Sequence, residues 1–179
     1  DTTLLLATIP AHLRRNLVIA AGADYFFPNR LVAAASALFI GAIPIERQRL
    51  SKLSIANTVK MIDKGRNLLI FPEGGRSPDG WGRPHRPGAA FVSSRTGAPV
   101  VPIGIAGTEA VLPMGAKRPH RSRVAIIVGD PLTPPRPPDG KGRVTRQAIS
   151  QFTVELGVEL ARLQAEAVDM AAGRSPSRS

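Results

Sequence analysis

The 179 residues contain no cysteine, so neither a disulfide framework, a thiolate nucleophile nor a Cys-ligated zinc site can be drawn from them. Histidine is scarce. His12, His85 and His120 are scattered without metal-ligand spacing, so no metal site is expected. Aromatic residues make up 4%, with one Trp and one Tyr, too few for the base-stacking platform of a single-strand binder, and no nucleic-acid module is recognisable. No apolar run reaches membrane-spanning length. The longest, Leu31 to Ile45, is fifteen residues with Ser36 as its polar member and a Gly-Ala-Ile-Pro break inside it. It suits a buried or interfacial element. No signal-peptide pattern opens the chain, which starts on Asp1 rather than Met and reads as a piece of something longer.

Acidic residues are few as well, 13 against 24 Lys and Arg, for a net charge of +11. Such an excess calls for a phosphorylated or polyanionic partner, or for an anionic membrane surface. The basic residues are spread along the chain, with one dense patch at Lys117, Arg118, Arg121 and Arg123. Hydrophobic content of 43% with 21% charged residues describes a globular chain. Its length fits one domain with a core of its own.

Apolar runs separated by helical stretches mark the organisation. Leu17 to Ala20, Leu68 to Phe71, Val100 to Ile105 and Val124 to Val128 read as strands. Their apolar residues run on without alternation, which predicts an α/β fold: a central, mostly parallel sheet covered by helices on both faces. Asp1 to Ala7 reads as a capped helix that stops before Pro10, and Asp24 to Leu38 as a helix broken at Pro28. A helix capped by Ser51 shares Ile55, Val59 and Ile62 on one face and ends at Gly65. Pro87 opens a short helix and Gly97 follows its end. In Val100 to Ile105 the proline predicts an edge or a bulge. Pro131 to Gly142, with five prolines, reads as a surface loop. A last helix from near Val144 places Ile149, Phe152, Leu156, Leu160, Leu163, Ala167 and Met170 at spacings of three or four. The fold is expected to fill residues 1–172, leaving 173–179 as a disordered polar tail.

One stretch stands apart. Directly after Leu68-Leu69-Ile70 comes Phe71-Pro72-Glu73-Gly74-Gly75-Arg76-Ser77, a buried strand giving way at once to a carboxylate, two glycines, a guanidinium and a hydroxyl. An α/β domain presents its chemistry at the carboxyl ends of its strands in this manner. Arg76 offers a rigid fork of donors suited to phosphate or carboxylate, and its plainest alternative is a surface pairing with Glu73. A second such switch runs from Gly41 to Arg47.

Three strand-end motifs in this order make the chain similar to the lysophospholipid acyltransferase family, the glycerolipid acyltransferases that form phosphatidic acid. Gly41 to Arg47 resembles G-x-x-F-x-x-R, with Pro44 at the aromatic position. Phe71 to Ser77 resembles F-P-E-G-T-R-S, with Gly75 for the threonine, and Val101, Pro102, Ile103 and Ile105 resemble V-P-V-x-I. Asp1 resembles the last residue of H-x-x-x-x-D, whose histidine would then precede it with four residues between. The resemblance covers Asp1 to about Pro134. It implies transfer of an acyl group from acyl-CoA or acyl-carrier protein to the free hydroxyl of a lysophospholipid, most simply lysophosphatidate. The histidine acts as general base and Asp1 orients it. Arg47, Glu73, Gly74, Gly75, Arg76 and Ser77 bind the acceptor's phosphate, and Val101, Pro102 and Ile103 line the acyl-donor region. No metal or tightly held cofactor is implied, and the protein is expected to be peripheral on the cytoplasmic side of a membrane. Gly75 and Pro44 leave open another lysolipid or a glycolipid acceptor. A non-catalytic lipid- or phosphate-binding module of the same fold is the alternative from a different class.

Overall fold

Leu17 to Ala20 extends into strand β1 (Leu17–Gly22), and two further strands lie beside it in parallel. The computed structural model describes residues 2–22, 42–45, 52–73, 84–111, 118–137 and 142–174. Before β1 come helix α1 (Thr2–Thr8) and, past Pro10, a single helical turn α2 (Ala11–Arg14). Strand β2 (Ala42–Ile45) pairs with β1 in the register Ile19 to Ala42 through Gly22 to Ile45. Strand β3 (Asn67–Ile70) pairs on the other side, Leu17 with Asn67 through Ala20 with Ile70. The order is β2-β1-β3. Parallel neighbours require crossovers, and between β2 and β3 the chain forms α3 (Lys52–Asp63).

The end of α3 follows from its glycine. Gly65 adopts φ 78°, its N–H donates to Ile62 O at 2.8 Å and the N–H of Arg66 to Met61 O at 3.0 Å. Only a residue without a Cβ enters that left-handed turn cheaply, and the pair of bonds satisfies carbonyls that the helix end leaves open. Ile55, Val59 and Ile62 are half-buried, as their spacing predicts, but among the described side chains of α3 the most buried is Thr58. Ser51 and the stretch 23–41 lie outside the described residues.

Helix α4 (Gly88–Thr96) opens on Pro87, whose carbonyl accepts from the Phe91 N–H at 2.8 Å, and closes on Gly97. Pro87 stands one residue before the first helical position rather than in it. Then β4 (Ile103–Ala106) leads through Gly107 to a one-turn helix, α5 (Thr108–Val111). Strand β5 (Ala125–Val128) returns antiparallel to β4, Ile103 opposite Val128 and Ala106 opposite Ala125. The parallel character expected of the strands therefore holds for β1 to β3, and this last pair departs from it.

Val100 lies outside β4 and forms an isolated antiparallel bridge with Leu132. Between that bridge and the Ile103–Val128 pair, three steps along one strand face four along the other. That is a bulge at Gly129 to Pro131, opposite the proline that predicted one. The N–H of Gly129 donates to Pro102 O at 2.9 Å across it. Leu132 packs against the core and Pro134 is buried, so the proline-rich segment is partly an internal strap.

The last element, α6 (Arg146–Ala171), holds these parts together. Thr145 caps it, its hydroxyl accepting from the Ala148 N–H at 3.1 Å. Phe152 and Leu156 join Ala90 of α4 in one buried cluster; Ala167 joins Ala106 and Ala125 of β4 and β5 in another. The small side chains matter: a Cβ on Gly104 would stand 2.4 Å from the backbone carbonyl of Leu163, so strand and helix touch main chain to main chain. The exposed N–H of Ile105 on β4 is met by Gln164 Oε1 of α6 at 3.2 Å. Gly173 and Arg174 complete the helix end, Arg174 pairing with Asp169 at 2.8 Å. Residues 175–179 lie outside the described residues.

Candidate active site

Parallel order decides where chemistry can gather. The carboxyl ends of β2, β1 and β3 lie along one edge of the sheet, and neighbouring strands are about 4.8 Å apart. β2 ends at Ile45, two residues before Arg47, and β3 ends at Ile70, after which Phe71, Pro72 and Glu73 follow. The two sequence switches from apolar strand to charge thus leave the sheet from the same edge, on either side of β1. This is where ligands bind in open parallel sheets.

The base of the second switch is closed. The N–H of Arg86 donates to Pro72 O at 3.0 Å, so the chain leaves at Pro72 and returns beside it fourteen residues later. No sequence signal marks this closure, because neither residue advertises a backbone bond to a distant partner. His85 beside it reaches α6, its Nδ1 3.0 Å from where a Cβ on Gly157 would stand. The loop's foot is therefore seated on the longest helix of the fold. Glu73 is half-buried at the start of this loop. Arg47, Gly74, Gly75, Arg76, Ser77 and Asp1 lie outside the described residues.

The third expected group is placed by β4 and the bulge. Pro102 is buried, its carbonyl held by Gly129; Ile103 begins β4 and is half-buried. Val101 is 46% exposed. It leaves apolar surface open to solvent just before the strand. The strongest electrostatic coupling among the described groups lies on α6. There Arg162 grips Glu159 through Nε at 2.9 Å and Nη2 at 2.7 Å, and reaches Glu166 at 3.2 Å. The hydrogen bonds from Arg162 hold the Glu159 carboxyl below its ordinary range. Glu159 also adjoins the bulge: its Oε1 lies 3.1 Å from where a Cβ on Gly129 would stand, and Pro102 Cγ is equally near that point.

The sequence profile of the Acyltransferase family matches residues 1–106, a stretch that takes in all three motifs and all three parallel strands. The chain belongs to the Acyltransferase family. Among relatives of this chain, the 1-acyl-sn-glycerol-3-phosphate acyltransferase BAT2, chloroplastic, of Brassica napus is 32% identical over 96 residues, which cover 52% of this chain and 28% of that protein. The 1-acyl-sn-glycerol-3-phosphate acyltransferase of Bacillus subtilis (strain 168) is 28% identical over 93 residues, 52% of this chain and 44% of the relative. The chain thus matches less than half the length of either relative. In three dimensions it resembles the crystal structure of the 1-acyl-sn-glycerophosphate (LPA) acyltransferase PlsC from Thermotoga maritima, with a TM-score of 0.59 at 19% identity. That likeness covers 84% of this chain and 58% of the other, and it extends the shared α/β fold beyond the residues that the family profile matches.

Proposed function

We propose that this acyltransferase moves a fatty acyl group from acyl-CoA or acyl-carrier protein to the free hydroxyl of a lysophospholipid, lysophosphatidate before others, and so forms phosphatidate. The observation that carries the reading is the Phe71 to Ser77 motif leaving the carboxyl end of β3, on the sheet edge that the Arg47 segment also leaves. The names of the relatives support the acceptor. In the reaction a histidine base takes the proton from the glycerol hydroxyl, whose oxygen attacks the thioester carbonyl. The carbon–sulfur bond breaks and the thiol leaves with a proton. Asp1 holds the imidazole's other nitrogen and stabilises its cation. Arg47 and Arg76 fix the acceptor's phosphate and so convert its charge into orientation of the hydroxyl. The chain needs no nucleophilic side chain of its own for this route. It works at a membrane surface as a peripheral protein on the cytoplasmic side; among the described residues no helix is long and apolar enough to cross a membrane.

Gly75 in the place of the family's threonine supports a second acceptor reading. Without that hydroxyl, another lysolipid or a glycolipid head group has more room beside Arg76. A panel of acceptors decides between the two. The assay uses the protein with the coding region in front of Asp1 included, and the 179 residues alone in parallel. Arg76→Ala is expected to lower kcat/KM for lysophosphatidate by roughly ten- to a hundredfold, the worth of a charge-assisted bond of about 1.5 to 3 kcal/mol. Lysine should rescue poorly, since it offers a point charge without the fork. An Arg76→Ala protein altered only in its response to the acyl donor would sink the assignment.

A further inference from the structure

Pairing β1 with β3 has a consequence at the opposite edge of the sheet. Because Leu17 lies beside Asn67, the residues leading into each strand must meet: Arg14, Arg15 and Asn16 on one side, Lys64, Gly65 and Arg66 on the other. Three bonds pin the junction. The Asn67 N–H donates to Asn16 O at 2.8 Å, Asn67 Nδ2 to Leu13 O at 3.5 Å, and Arg66 Nη1 to Arg15 O at 3.4 Å. Lys60 stands one turn before Lys64 on α3. Five cations, Arg14, Arg15, Lys60, Lys64 and Arg66, thereby share one exposed surface with a single acid, Asp63. None of the five forms an ion pair among the described residues. Leu13, whose carbonyl takes part in this junction, is 46% exposed.

Like charges held this close, Lys60 and Lys64 at i,i+4 among them, cost stability. The fold gains nothing from them beyond the bonds of Arg14 to Leu6 O and of Arg66 to Arg15 O. What they provide is a positive potential with an exposed leucine at the same junction, a surface suited to a partner of opposite charge. No aromatic side chain belongs to the cluster, which argues against a base-stacking ligand. Its position argues against the bilayer. On the reading above, lipid reaches the carboxyl edge of the sheet, whereas this cluster lies at the amino edge, the length of β1 or about 20 Å away.

We infer that Arg14, Arg15, Lys60, Lys64 and Arg66 form a docking surface for an acidic protein, approached from the side facing away from the lipid. The placement rests on the acyltransferase reading, but the test is a binding measurement made without turnover, so the two stand or fall separately. Fluorescently labelled poly-L-glutamate is titrated with the protein at low ionic strength, and anionic phosphatidylglycerol vesicles are titrated in parallel. Arg15→Gln, Lys64→Gln and Arg66→Gln combined should weaken polyglutamate binding by about tenfold, and should leave vesicle binding and acyl transfer to lysophosphatidate as they were. The matched removal of three exposed charges elsewhere, Arg118→Gln, Arg121→Gln and Arg136→Gln, should weaken polyglutamate binding less than threefold or so. Equal weakening by both triple variants would mean attraction by net charge alone and would overturn the assignment. So would loss of vesicle binding in the cluster variant, or a wild-type protein that does not bind polyglutamate.

Discussion

Glycine shows how much a single residue can hide. In the sequence Gly104 and Gly157 are equivalent, one within an apolar run and one inside a helical pattern. In the fold, a Cβ on Gly104 would stand 2.4 Å from the Leu163 carbonyl carbon and oxygen, main-chain atoms of a packed helix that cannot move alone. A Cβ on Gly157 would meet the end of a side chain, His85 Nδ1, at 3.0 Å. Gly104→Ala should therefore cost about 1 to 3 kcal/mol or more through overpacking. Gly157→Ala should come out near neutral, because a helix interior gains up to about 1 kcal/mol from alanine over glycine and His85 can shift. Urea unfolding midpoints of the two variants check the contrast. Glu159 supports a second prediction at this scale. Its carboxyl is lowered by hydrogen bonds from Arg162, so its contribution to stability is present above the ordinary carboxylate range. That contribution is lost as pH falls through the lowered value. Glu159→Gln should remove that part of the acid slope, seen as a flatter dependence of stability on pH below neutrality; an unchanged slope would mean the pairing does not hold in solution.

Among the elements, α6 was the most legible and still yielded a correction. Its spacing of three and four predicts the buried face, and Phe152, Leu156, Leu163 and Ala167 are buried as expected. Met170, which the same pattern assigns to the core, is largely exposed. The reason is the face: Ala167 and Ala171, four apart, both pack against Ala106 and Ala125, and Met170 is turned out of that row. Leu163→Ala, at the fully buried centre, should cost about 2 to 5 kcal/mol. Thr145→Ala should cost about 1 kcal/mol by removing the hydroxyl that accepts from Ala148. Val158→Ala on the open face should stay within about 0.5 kcal/mol. Chemical denaturation ranks the three, and a Thr145→Ala protein as stable as the parent would show that the helix start is held by packing instead.

At the scale of the molecule the excess of positive charge is the dominant property. Basic side chains near an anionic leaflet contribute about 1 kcal/mol each, so the protein should co-sediment with phosphatidylglycerol vesicles at low salt and release as salt is raised. Equal, salt-insensitive binding to neutral and anionic vesicles would exclude that electrostatic attraction. The net charge itself is a count and needs no fold. By itself the sequence determined the strands, the helix ends at Gly65 and Gly97 and the acyltransferase motifs, because each rests on residue type at short spacing. Pairing and closure were decided only by the tertiary structure. The antiparallel return of β5 and the Pro72–Arg86 bond at the foot of the motif loop depend on main-chain N–H and carbonyl groups rather than on side-chain type. The cation cluster depends on register, since Arg15 and Arg66 are 51 residues apart and meet only because β1 lies beside β3.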